Sequence, residues 1–133
     1  MLSIDAARAA PDAEGKPRWH AYSHGGRTDT GLDAIEWAKS AVRLGAGEIL
    51  LNSIDADGTG SGYDLELTRA ILEAVPVPVI ASGGAGNLDQ IAEVLMEPVN
   101  ADAALVASLL HFGKTTITEI KKYAESKGVC VRW

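Results

Sequence analysis

Cysteine is almost absent: Cys130 stands alone in the chain. One cysteine closes no internal disulfide, so a reducing cytoplasm is the expected setting. With no histidine near it in sequence, Cys130 reads as a structural thiol and not a nucleophile. No apolar run is long enough to cross a membrane, so no membrane partner is expected. Positive charge is in deficit, with 12 Lys and Arg against 18 Asp and Glu for a net charge of -6. That balance argues against nucleic acid as a partner. It leaves room for a phosphorylated ligand, because backbone amides bind phosphate without a lysine. His20, His24 and His111 lack metal-ligand spacing, so neither a metal nor another cofactor is expected. The N-terminus shows no charged-then-apolar leader. Met1 runs at once into Leu2, Ser3 and Ile4, and the expectation is that the chain begins inside a strand, as a fragment or an engineered piece would.

What is present suits one domain. The 133 residues are 47% hydrophobic and 23% charged, enough apolar material for a core and enough charge for solubility. A repeating order of strand then helix divides them into units of about 1–45, 46–75, 76–99 and 100–133. Leu2 to Ile4 read as a short first strand ending at Asp5. Trp19 to Ser23 alternates and suggests a hairpin within a long loop. Thr30 or Asp33 caps a helix that carries Ile35, Ala38 and Val42 on one face and stops at Gly45. Glu48 to Ile54 is a second strand, followed by a helix from Asp64 to Val75 that Pro76 ends. Val77 to Ala81 is a third strand, and Asn87 with Gln90 forms a capping box for the next helix. Ala103 to Ala107 is a fourth strand, and Ser108 to Phe112 a short extra turn. Thr116 and Glu119 make a second capping box, with Ile117, Ile120 and Ala124 inward and Gly128 as the stop. Trp19, Trp37 and Trp133 read as packing residues.

Strands two to four are apolar on both faces, as in a buried parallel sheet with helical crossovers. Units of roughly 30 residues have the period of a (β/α) barrel, and a closed barrel needs eight of them in about 250 residues. The fold class expected is therefore α/β, half of an eight-fold TIM barrel. Half a barrel leaves two strand edges unpaired and the inner face of its sheet uncovered. A two-fold homodimer would supply the missing four units; the alternative is a monomeric open sheet.

In such folds ligands bind where strands end and loops begin. Asp5, then Asp55 with Asp57 and Gly58, then Ser82 with Gly83, Gly84, Ala85 and Gly86, and finally Ser108 arrive there. The glycine run lies between a strand and the helix capped by Asn87, where glycine lets the backbone approach a phosphate. Alone it reads as a tight turn; with Ser108 on the next strand, phosphate binding is the better reading. Asp5 is either a general acid or base or a carboxylate capping loop amides. Asp55 and Asp57 share a face if the segment is extended, or form the turn ahead of Gly58. His24, Gly25, Gly26 and Arg27 make a loop that either reaches over the rim to a phosphosugar or lies solvated on the surface.

The run Asn52-Ser53-Ile54-Asp55-Ala56-Asp57-Gly58-Thr59 with Ser61-Gly62-Tyr63-Asp64 resembles the sixth-strand signature of the cyclase subunit of imidazole glycerol phosphate synthase. Ile80-Ala81-Ser82-Gly83-Gly84-Ala85-Gly86 resembles its seventh strand, and Ala103-Ala104-Leu105-Val106-Ala107-Ser108 with His111-Phe112 its eighth. Ile4-Asp5-Ala6 is similar to its fifth strand, His24-Gly25-Gly26-Arg27 with Thr30-Gly31 to its fifth loop, and Gly45-Ala46-Gly47-Glu48-Ile49-Leu50 matches too. The sister isomerase of the pathway shares the double-glycine loop, but the Asp55 to Asp64 string favours the cyclase. The resemblance implies closure of an imidazole ring from a phosphoribulosyl aminoimidazole carboxamide nucleotide and ammonia, in histidine biosynthesis. It implies a catalytic role for Asp5, phosphate contacts at Asp57, Gly58, Gly83, Gly84 and Ser108, and a charged ammonia gate at Glu48 facing a glutaminase partner. The family's N-terminal half, with the other catalytic aspartate, has no counterpart here, so the chain is expected to be weak or silent alone and to need a complementary half or a second copy. A silent phosphate-binding scaffold and half of the sister isomerase remain as alternatives.

Overall fold

The computed structural model describes all 133 residues. Six strands form one sheet: β1 (Leu2–Ala9), β2 (Arg18–Ser23), β3 (Thr28–Asp33), β4 (Ile49–Ser53), β5 (Val79–Ser82) and β6 (Ala103–Ala104). Their spatial order is β3-β2-β1-β4-β5-β6. β1, β4, β5 and β6 run parallel, while β2 and β3 fold back antiparallel at one edge. The helices are α1 (Ala34–Arg43), α2 (Leu65–Ala74), α3 (Leu88–Leu95), α4 (Ser108–His111) and α5 (Ile117–Ser126).

The parallel strands bury alternate residues. Ile4, Ala6, Ile49, Leu51, Val79 and Ala81 are buried with the apolar residues of the helices. The opposite face presents Ser3, Asp5, Leu50, Asn52, Ile80 and Ser82, none of them buried. Apolar residues on both faces therefore do not mean two covered faces: the helices lie on one side only. This is the open, half-barrel form of an α/β sheet, with four strand-to-helix units of which the first carries an inserted hairpin.

Helix ends follow the expected chemistry with one exception, at Asn87. Asp33, not Thr30, caps α1, accepting from the amides of Ile35 and Glu36 at 3.0 Å each; Thr30 lies in β3, where its hydroxyl donates to the Ala21 carbonyl. Asn87 accepts from the Gln90 amide at 2.9 Å, but Gln90 returns its oxygen to Gly86 and not to Asn87, so that box is half made. The box of Thr116 and Glu119 is reciprocal.

Other boundaries differ from the sequence reading for identifiable reasons. β1 continues four residues past Asp5, because β2 offers it an antiparallel partner from Asp5↔Tyr22 to Ala9↔Arg18. The same pairing closes most of the edge that was expected to be free, leaving Leu2 to Ile4 unpaired on that side. β6 ends after two residues, since β5 gives way to the glycine loop and the chain turns into α4. Ile117 is exposed, leaving Ile120 and Ala124 to bury α5. Of the three tryptophans only Trp19 is a core residue, with the Arg8 guanidinium 5.1 Å from its ring centre; Trp37 and Trp133 are exposed.

Candidate functional site

The C-terminal ends of the parallel strands carry the polar residues. Asp5, Asn52 and Ser82 sit opposite one another on β1, β4 and β5, a polar row on the uncovered face. Asn52 donates from Nδ2 to Asp5 Oδ1 at 3.1 Å, fixing one carboxylate oxygen and leaving the other without a partner in the chain. Asn52 was read only as part of a motif. The signal for a site role was present, since an amide in the run Ile49-Leu50-Leu51-Asn52 breaks an otherwise apolar strand. Asp5 lies inside β1, yet it is level with the last residues of β4 and β5, so the longer strand does not remove it from the rim.

Beside that row is a cavity of about 90 Å³ lined by Asp57, Gly58, Gly60, Ser82, Gly83, Gly84, Ala85, Leu105, Ala107 and Ser108. A water's share of liquid is about 30 Å³, so the space suits a compact group of a few heavy atoms and not a base or sugar ring. The structure thus brings Asp57, Gly58, Gly83, Gly84 and Ser108 to one place. The amides of Gly83, Gly84 and Ala85 donate to no other group of the chain, although Gly84 and Ala85 are buried. Buried amides without partners are uncommon, and here two of them follow the free Gly83 amide at one cavity, an arrangement with the donors an anion needs.

Only glycine fits at positions 83, 84 and 86 of this loop. Gly84 has φ +106°, and a Cβ there would collide with the carbonyl oxygen of Gly62; a Cβ on Gly86 would collide with that of Gly60. A Cβ on Gly83 would come within 2.8 Å of the Ser53 carbonyl oxygen. The loop after β4 is thereby pressed against the loop after β5, and the Gly62 amide donates to the Gly84 carbonyl at 2.8 Å.

Asp55 and Asp57 do not act as a pair. Asp55 accepts from the Arg8 backbone amide at 2.7 Å, tying the end of β1 to the loop after β4, while Asp57 faces the cavity. Glu48 precedes β4 at the opposite end of the sheet, half-buried, with its carbonyl accepting from the Leu2 amide. The tip of the β2–β3 hairpin reaches the rim: Gly26 packs against the Ile54 side chain, and His24 and Arg27 are exposed beside it. The histidines are dispersed, His20 on Asp29, His24 on Ser23 and His111 edge-on to Phe112. Burial pushes the Tyr63 phenol above its ordinary range, so it stays a hydrogen-bond donor, to the Leu105 carbonyl at 2.8 Å.

A family model described as histidine biosynthesis protein matches residues 1–116. The chain belongs to the histidine biosynthesis protein family. The match spans the whole parallel sheet, the glycine loop and α4, and ends where α5 begins. Every residue of the cavity and of the polar row therefore lies inside the family's own region. A second, larger groove of about 930 Å³ lies away from the rim, between β6, α3, α5 and the C-terminal residues, and is mostly apolar. No helix of this family member is long and apolar enough to cross a membrane.

Proposed function

We propose that the chain is the phosphate-binding, Asp5-bearing half of an imidazole glycerol phosphate synthase cyclase. The observation that carries this reading is the set of three unpartnered amides at Gly83 to Ala85, sharing a rim with Asp5. A phosphate in the cavity takes hydrogen bonds from those amides, with Gly58 and the Ser108 hydroxyl on its flanks. Asp57 brings negative charge, so its carboxylate suits a ligand hydroxyl and not the phosphate itself. Held at that end, the substrate reaches along the polar row. There Asp5 exchanges protons as ammonia adds and the carboxamide nucleotide departs, while Asn52 fixes the angle of the carboxylate. Glu48, at the far end, meets on this reading the ammonia that a glutaminase delivers.

On this reading the second catalytic carboxylate lies outside these 133 residues. A second copy is one source, a complementary N-terminal half the other. The unpaired edge of β1 at Leu2 to Ile4 and the short free edge of β6 are of similar length, which suits strand pairing between two copies. In a closed barrel the apolar groove beside β6 then receives the neighbour's β1.

Mixing the chain with an N-terminal half and following ring closure is the direct test. Turnover is expected only in the mixture and is expected to fall at least 100-fold in Asp5→Asn, the scale of a lost general acid or base. Unchanged turnover in Asp5→Asn would remove Asp5 from the mechanism. Light scattering on the chain alone reads self-association, and a soluble monomer at high concentration would leave the complementary half as the partner.

A further inference from the structure

Tyr63 lines neither the cavity nor the polar row, yet its side chain ties together the segments around them. It is buried at 6% exposure within the cluster of Ala81, Ala85, Ile91 and Leu109. Its hydroxyl donates to the Leu105 carbonyl at 2.8 Å, 42 residues along the chain. Leu105 is the last residue held to β5, through its amide to the Ala81 carbonyl at 2.8 Å, and three residues later comes Ser108. One residue before Tyr63, the Gly62 amide grips Gly84. The segment Gly60 to Tyr63 thus holds the glycine loop with its backbone and the end of β6 with its side chain. Gln90 supports the same segment, its amide donating to the Gly60 carbonyl and its oxygen accepting from Gly86.

β6 has only two residues in ladder pairing, so beside the burial of Leu109 the Tyr63 bond is the main tie that sets where Ala107 and Ser108 stand relative to Gly83 and Gly84. We infer that Tyr63 is a positioning residue for the phosphate cavity, setting the distance between its glycine wall and its Ser108 wall. This rests on the phosphate reading above and adds the coupling between the two walls. The phenol suits the task, because a buried hydroxyl with one acceptor has a single favourable orientation and stays protonated in its apolar surroundings.

The test uses inorganic phosphate and the Tyr63→Phe variant, which keeps the ring and removes only the hydroxyl. Phosphate is titrated into each while backbone amide resonances are followed. The unaltered chain is expected to shift at Gly83, Gly84 and Ser108 together. Tyr63→Phe is expected to bind about tenfold more weakly, the loss matching one hydrogen bond. It is also expected to lose the Ser108 response while keeping those of Gly83 and Gly84, a split that uniform loosening of the fold would not give. Equal affinity with all three responses retained in Tyr63→Phe would overturn the inference and leave the phosphate site standing. No response in the unaltered chain would overturn both.

Should Tyr63→Phe fold poorly, amide exchange of the unaltered chain decides the matter. Saturating phosphate is expected to slow exchange at Gly62 and Leu105 as well as in the cavity walls. Protection confined to Gly83–Ala85 and Ser108 would refute the coupling.

Discussion

Around Ile4, Leu51, Leu67 and Ile71 the core is closed by its own chain: the β2–β3 hairpin extends the sheet past β1, and α1 and α2 cover it. Around Val94, Leu109 and Ile120 the core stops at a two-residue strand, with a groove of about 930 Å³ between β6 and α5. The same βα unit is used in both regions, so local propensity does not explain the difference. In a parallel sheet each helix covers its own strand and the next one, and beyond β6 there is no next strand. The first region is finished; the second leaves the outer edge of β6 unpaired. The polar rim spans the two, with Asp5 and Asn52 on the finished side and the glycine-lined cavity on the open side.

The largest expected effect comes from cutting the finished core. Ile71 is fully buried, and Ile71→Ala is expected to cost about 4 kcal/mol, lost contacts and cavity together. Ile120 lines the groove, where the surroundings are already incomplete, so Ile120→Ala is expected to cost about 2 kcal/mol. Urea denaturation of the two variants measures both, and equal losses would mean that the open region is as tightly packed as the closed one.

A smaller contrast isolates the close approach of the two glycine loops. Gly45 and Gly84 share φ +106°, so an alanine meets the same unfavourable φ at the two sites. A Cβ at Gly45 meets open space, whereas at Gly84 it meets the Gly62 carbonyl. Gly45→Ala is expected to cost about 1 kcal/mol, from strain alone. Gly84→Ala is expected to cost about 3 kcal/mol, because the loop after β4 must move. Gly84→Ala is also expected to abolish phosphate binding, while Gly45→Ala leaves it intact. Thermal melting with and without phosphate reads both quantities, and similar losses at the two glycines would remove the packing argument.

Periodicity and caps made the helices legible, and the three later parallel strands could be placed to within two or three residues. The cavity residues were legible too, because in a βα unit glycine and serine after a strand arrive at one rim whatever the details. What sequence did not show is long-range pairing. Nothing local in Ala6 to Ala9 tells that β2 will extend β1, or that Asp55 will clip the Arg8 amide. Nor does a run such as Ala103 to Ala107 reveal that its ladder partner ends early. The bond from Asn52 to Asp5 and that from Tyr63 to Leu105 link positions 47 and 42 residues apart, and motif spacing is blind to both. The alternation of burial was misread for a related reason: an apolar residue on the inner face of a half-barrel looks the same in sequence as one under a helix.

The smallest expected effects are in acid, and they compare one carboxylate from each end of the sheet. Asp29, in the hairpin of the finished edge, is held below its ordinary value chiefly by the His20 side chain, then by the Gly31 amide. Glu119, on α5 at the open side, is lowered first by the Thr116 amide and then by the Thr115 and Thr116 hydroxyls. Both pKa values are depressed on folding, so each contributes stability above its unfolded value, and that contribution is lost as pH falls through the folded value. The losses therefore begin below the ordinary values of 3.8 for Asp29 and 4.5 for Glu119. Both groups are exposed, which keeps the effects small. Melting temperatures of Asp29→Asn, Glu119→Gln and the unaltered chain, followed from neutral pH to about pH 3, should differ near neutrality and converge in acid. The α5 box is made of hydrogen bonds alone, so the Glu119→Gln gap is expected to survive added salt. At Asp29 a Coulomb attraction adds a smaller share to the hydrogen bonds, so the Asp29→Asn gap should shrink slightly with salt. If the two gaps respond alike to salt, the open end relies on charge as much as the finished one does.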